Sequence, residues 1–203
     1  MLKTILLLGI AALAAQAETA FTYWIEPCQK VETGCQPRDP ELAEWAVKAW
    51  VAAGQGKLVL TRATRRASAL IHVQWATAEE GLFGETQPIL VNGRRGGIVN
   101  VRPAPLQPND PLLRETIVYL TCLHELGHAL GLVHTSDFAD IMYSFQFGGD
   151  IQEYFGRYRR RLRTRDDITR NPGMSDEDRE QLQQALARMS SGLPGGDSAR
   201  PKD

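Results

Sequence analysis

A chain of 203 residues, 43% hydrophobic and 23% charged, has the size and balance of one globular domain, which excludes disorder as its main state. Three cysteines are too few for a small disulfide scaffold, and a formal net charge of −1 excludes a whole-chain field that would draw in nucleic acid.

The chain opens on a segment that reads as an address. Lys3 gives it a positive start, Ile5 to Ala15 is an unbroken apolar run, and Ala15-Gln16-Ala17 is a small-x-small cleavage site. The run is shorter than the ~20 residues that span a bilayer, so residues 1–17 are expected to be a signal peptide rather than an anchor. The mature protein is then secreted or periplasmic, has no membrane association after cleavage, and can form disulfides. Cys28 and Cys35 flank a short polar loop and form the natural pair, worth roughly 2.5 kcal/mol in the chain-entropy model; two free thiols is the alternative.

Phe21 to Ile25 is aromatic and β-branched and predicts a first strand, ended by Pro27. Pro40 to Ala53 places Leu42, Trp45, Ala46, Ala49 and Trp50 at helical spacing, and Gly54 and Gly56 stop it. Strands are predicted over Leu58 to Arg62 and Ala69 to Trp75, the second carrying His72, which reads as a strand histidine because one imidazole cannot hold a metal alone. Gly81 to Val91 and Gly97 to Arg102 predict two more strands joined by NGRRGG, with Asn92-Gly93 as the turn. After the proline-rich 103–111, one long helical pattern covers Leu112 to Leu132. An irregular stretch is expected to about Gly156, followed by seven arginines within Gly156 to Arg170 that read as a solvated basic face. Ser175 can cap a last helix running to about Met189, and residues 190–203 read as a flexible tail. Residues 18–189 therefore form the domain.

Within the long helical pattern lies HELGHALGLVH. His124 and His128 are one helical turn apart on one face and can reach a common ion, while Glu125, next round the helix, can reach a water bound there. Gly131 lets the chain turn back so that His134 supplies a third nitrogen. Three neutral imidazoles suit Zn²⁺ and leave a fourth tetrahedral position open, the mark of one catalytic ion rather than a structural one. Cys122 lies about 200° round the helix from His124 and reads as a buried apolar residue. Five fixed positions arise by chance on the order of once in 10⁵ chains of this length, so incidental surface histidines are a poor account of them.

From His124 to Met142 the chain resembles the metzincin zinc peptidases, and among them the matrixins, which follow HExxHxxGxxH with a methionine-bearing turn. Met142 stands eight residues after His134, the short matrixin interval. FTYWI, PELAEWAVKAW, SALIHVQW, GLFGETQPIL and MSDEDREQLQQAL resemble that family's first strand, first helix, next strand, substrate-holding edge strand and closing helix. The resemblance implies an α+β fold, metzincin/zincin-like, with a twisted mixed sheet packed on a long active-site helix and a C-terminal helix. It implies a secreted zinc-dependent endopeptidase in which His124, His128 and His134 bind the metal, Glu125 is the general base toward a zinc-activated water, and Met142 forms a floor beneath the imidazoles without ligating. A protein or peptide substrate would lie extended along residues 81–90, with Tyr143 to Phe145 lining the pocket for the residue after the cut. Many animal matrixins carry a propeptide, which is not expected here because few residues separate the signal from the first strand, and a second zinc, for which only His72 remains. Calcium is compatible with the fold, but its sites are not legible. A monomer is expected. The alternative function is a non-catalytic matrixin-like module that binds extracellular protein or glycan.

Overall fold

The computed structural model describes residues 18–79 and 83–191. The expected signal peptide and residues 192–203 of the expected tail lie outside the described residues.

Five strands form one mixed sheet in the order β2-β1-β3-β5-β4. β1 (Thr19–Ile25) alternates cleanly, with Phe21, Tyr23 and Ile25 buried, and pairs in parallel with β2 (Leu58–Arg62) and β3 (Ile71–Trp75). β3 pairs in parallel with β5 (Arg94–Val101), and β4 (Gly84–Val91) runs antiparallel to β5 at the sheet's edge. Pro88 sits within β4, a position an edge strand tolerates because, among the described residues, no strand pairs on its outer side. The turn between β4 and β5 is tighter than expected: Asn92 and Gly93 take φ of 51° and 76°, and Arg94 already pairs with Val91. Positive φ at both central residues is what a two-residue hairpin demands, so most of NGRRGG is strand.

α1 (Asp39–Ala53) and α2 (Pro111–Ala129) pack on each other and on the sheet. Proline near the start of each exploits a position whose N–H has no helical partner. Asp110 caps α2 by accepting the Leu113 N–H at 3.1 Å. The Trp50 indole of α1 donates to the Leu123 carbonyl of α2 at 2.9 Å, which fixes the register of the two helices one residue before His124. Cys122 is fully buried, as expected for an apolar residue, and Cys28 and Cys35 form a disulfide with Cα atoms 5.5 Å apart.

Two helices replace stretches read as irregular or merely basic: α3 (Ile151–Arg159) and the short α4 (Asp167–Arg170). Asp150 caps α3 with bonds to the Gln152 and Glu153 N–H groups, and its buried face is Tyr154, Phe155 and Tyr158, a short aromatic stripe broken in sequence by Gly156 and Arg157. Ser175 opens α5 (Asp176–Ser190) with a reciprocal capping box to Asp178. The mixed sheet, long central helix and C-terminal helix are the architecture the sequence led us to expect.

Candidate metal centre

The last two turns of α2 and the loop after it bring His124, His128 and His134 together. α2 closes in a Schellman motif: Gly131 takes φ of 95°, its N–H bonds the His128 carbonyl at 2.9 Å, and the Leu132 N–H bonds the Gly127 carbonyl at 3.0 Å. That reversal carries His134 back toward the helix. The three Nε2 atoms stand 3.0, 3.1 and 3.3 Å from one another. Tetrahedral zinc with nitrogen ligands at its usual bond length sets adjacent ligand atoms ~3.3 Å apart, so the donor set fits that ion.

Tautomers point the same way. His124 Nδ1 donates to the Ile141 carbonyl at 2.6 Å and His128 Nδ1 to the Leu132 carbonyl at 3.1 Å. With their protons on Nδ1, both rings turn unprotonated Nε2 lone pairs toward the shared centre, an arrangement a cation resolves. Burial lowers the pKa of both rings to about 4, so they remain neutral donors at physiological pH.

Glu125, only 5% exposed, lies beside this triangle. Burial is the main cause that raises its carboxyl pKa above the usual range, opposed by the nearby His128 and by a hydrogen bond from Thr86. The Thr86 hydroxyl of β4 lies 2.7 Å from Glu125 Oε2 and 2.8 Å from the Glu125 carbonyl.

Met142 is wholly buried and packs against α2 at Gly127. Gly127 makes room for it, since a Cβ there would stand 2.5 Å from the Met142 sulfur. The loop that carries Met142 folds back on the third histidine's neighbour, with the Thr135 N–H donating to the Met142 carbonyl at 2.9 Å. From α5, buried Asp178 accepts the Ile141 and Met142 N–H groups at 2.9 and 3.2 Å. The Tyr154 hydroxyl donates to the Asp140 carbonyl at 2.9 Å. Tyr143 donates to the Gly148 carbonyl at 2.6 Å and packs against Phe138, Phe145 and Tyr154.

His124, His128 and His134 thus converge, with Glu125 near enough for its charge to act on His128, while His72 stays in β3 with its Nε2 2.9 Å from the Ala69 carbonyl. Sequence reasoning missed Thr86, Gly127, Tyr154 and Asp178 as supports. Of these only Gly127 carries a local signal, a glycine inside a helix. A second group of ligand-type atoms, Cys28, Cys35 and Asp39, is accounted for by the disulfide and by the Asp39–Arg114 ion pair.

No curated protein matches the chain. Archaemetzincin from Methanopyrus kandleri, a solved structure, is similar over 88% of this chain and 100% of its own, at 17% identity and a TM-score of 0.43. The matrixin family model matches residues 113–154, the stretch that spans α2, the three histidines and the Met142 loop. That match and the donor geometry support a zinc metallopeptidase.

Proposed function

We propose that this chain is a secreted zinc endopeptidase that uses Glu125 as its general base. One observation carries the reading: three imidazole nitrogens converge within 3.3 Å of one another, beside a buried carboxylate and under an edge strand. His124, His128 and His134 would hold the ion. Zinc bound there supplies a Lewis acid that polarises a peptide carbonyl and makes water acidic enough to yield its proton near neutrality.

The chain's own residues do the rest. Glu125 takes the proton from the attacking water and returns it to the departing amine, a task favoured by a carboxyl whose pKa burial has moved toward neutrality. The carbonyls of Ile141 and Leu132 orient His124 and His128 through their Nδ1 atoms, so both rings are set before a metal arrives. Among the described residues β4 pairs with β5 on one side only, and an extended peptide can add to its other side through main-chain hydrogen bonds. The segment from Tyr143 to Phe145, whose two rings pack on each other and on Tyr154, lines the pocket for the residue after the cut. The protein acts as a monomer on protein or peptide substrates outside the cytoplasm.

The test is cleavage of an unfolded, alkylated protein by the mature chain. A chelator should abolish cleavage and added zinc should restore it. Glu125→Gln should lose activity by about 10²–10⁴-fold while keeping zinc. Wild-type cleavage by Glu125→Gln would contradict the general-base role, and cleavage indifferent to chelation would contradict the metal.

A further inference from the structure

We propose that Thr86 is a positioning residue for Glu125, its hydroxyl pinning Oε2 to edge strand β4 so that Oε1 is the oxygen left to handle the proton of water. The proposal rests on the reading of Glu125 as general base.

A carboxylate on a flexible side chain is a poor base until one of its oxygens is fixed, because a misplaced group forfeits most of the advantage of proximity. The Thr86 hydroxyl lies 2.7 Å from Oε2 and 2.8 Å from the backbone carbonyl of the same glutamate. A hydroxyl has one proton, and the charged oxygen is the stronger acceptor, so the bond to Oε2 prevails when Glu125 is ionised. Thr86 is β-branched, which limits its χ1 and makes it a stiff post.

The other oxygen is treated in the opposite way. Gly84 is two residues before Thr86, so both lie on the same face of β4. A Cβ at Gly84 would stand 2.7 Å from Glu125 Cγ, 2.8 Å from Oε1 and 2.8 Å from Thr121 Cγ2. One strand face therefore offers a hydroxyl donor to Oε2 and, beside Oε1, a glycine whose missing side chain leaves that oxygen unobstructed by a methyl. The same strand has a side unpaired with β5 that an extended substrate can join, so substrate docking and base orientation share one rigid element.

The experiment uses the mature, zinc-loaded chain and a fluorogenic peptide, with Thr86→Val, Thr86→Ser, Gly84→Ala and Glu125→Gln measured side by side. Thr86→Val should lower kcat about 10- to 100-fold, with KM within about twofold and zinc content unchanged. Thr86→Ser, which restores the hydroxyl, should recover kcat to within about threefold of wild type. Gly84→Ala should lower kcat at full zinc occupancy, an independent reading should Thr86→Val fold poorly. A crystal structure of metal-free Thr86→Val should show the Glu125 carboxylate swung away from β4. Wild-type kcat in Thr86→Val, or a serine variant as slow as the valine one, would overturn the proposal. Should Glu125→Gln be inactive while Thr86→Val runs at full rate, Thr86 alone loses its role. Should Glu125→Gln be fully active, the general-base reading fails and the positioning role falls with it.

Discussion

His124 and Asp178 grip opposite ends of one peptide group. The carbonyl of Ile141 accepts the His124 Nδ1–H at 2.6 Å, and the N–H of Met142, in the same peptide plane, donates to Asp178 Oδ1 at 3.2 Å. The other carboxylate oxygen takes the Ile141 N–H at 2.9 Å and the Ser175 N–H at 2.8 Å. An acidic residue that caps α5 therefore also sets the ring of a metal-site histidine, through the loop that carries Met142. Asp178→Ala would leave these N–H groups buried and unpaired. The expected result is a loss of about 2–4 kcal/mol of stability in urea denaturation. Zinc affinity should fall about 10- to 100-fold in a competition titration with a chromophoric chelator. Unchanged zinc affinity in a folded Asp178→Ala would break the link from α5 to the metal centre.

Gly127→Ala should also destabilise, although alanine is the better helix former by about 1 kcal/mol. The new methyl would meet the Met142 sulfur at 2.5 Å and the Trp50 ring at 3.1 Å. Overpacking of that kind costs about 1–3 kcal/mol, so the unfolding midpoint should fall in both metal-free and zinc-loaded protein. A raised midpoint would mean that Met142 moves aside freely.

How much of this was readable beforehand differs from residue to residue. The motif from His124 to His134 is local: helical spacing, one glycine and one turn suffice to bring three nitrogens together, and the structure has Gly131 in the positive-φ conformation that turn requires. The Met142 interval was legible for the same reason. Asp178 was not, because its capping box with Ser175 accounts for it fully within five residues of sequence, and nothing local announces a partner 36 positions away. α3 escaped because its buried stripe is only Tyr154, Phe155 and Tyr158, and charged residues and a glycine obscure the period. Thr86 escaped because a threonine on an edge strand is ordinary, and its partner lies 39 residues on.

Arg114 and Asp39 should matter to folding and not to chemistry. They are 4% and 1% exposed, and the guanidinium holds both carboxylate oxygens at 2.7 and 2.8 Å while reaching the Gly34 carbonyl at 3.2 Å. Removing one partner of such a pair strands a buried charge. Arg114→Leu should therefore cost about 3–5 kcal/mol by chemical denaturation. Where the variant remains folded, its zinc content and kcat should match wild type, and a selective loss of zinc would show that this pair reaches the metal centre.

The metal-free protein should weaken on mild acidification. Burial lowers the His124 and His128 pKa values to about 4, against 6.5 in the unfolded chain. Between those values the unfolded state binds protons that the folded state refuses, so stability falls as pH drops from about 6.5 toward 4 and levels off below. The raised pKa of Glu125 acts in the opposite sense, and replacing both histidines by glutamine isolates their part. Urea midpoints of the chelated protein at neutral and acid pH should differ more in wild type than in the double variant. An equal difference in the two would contradict the histidine contribution.

Metal content tests the central claim most directly. The mature protein purified without chelator or added metal, analysed by inductively coupled plasma mass spectrometry, should hold about one zinc per chain, as one three-histidine site requires. A folded His128→Ala variant purified alongside it should hold almost none. Wild-type protein that carries no transition metal and binds none when offered zinc, or a His128→Ala variant that keeps a full equivalent, would contradict the account.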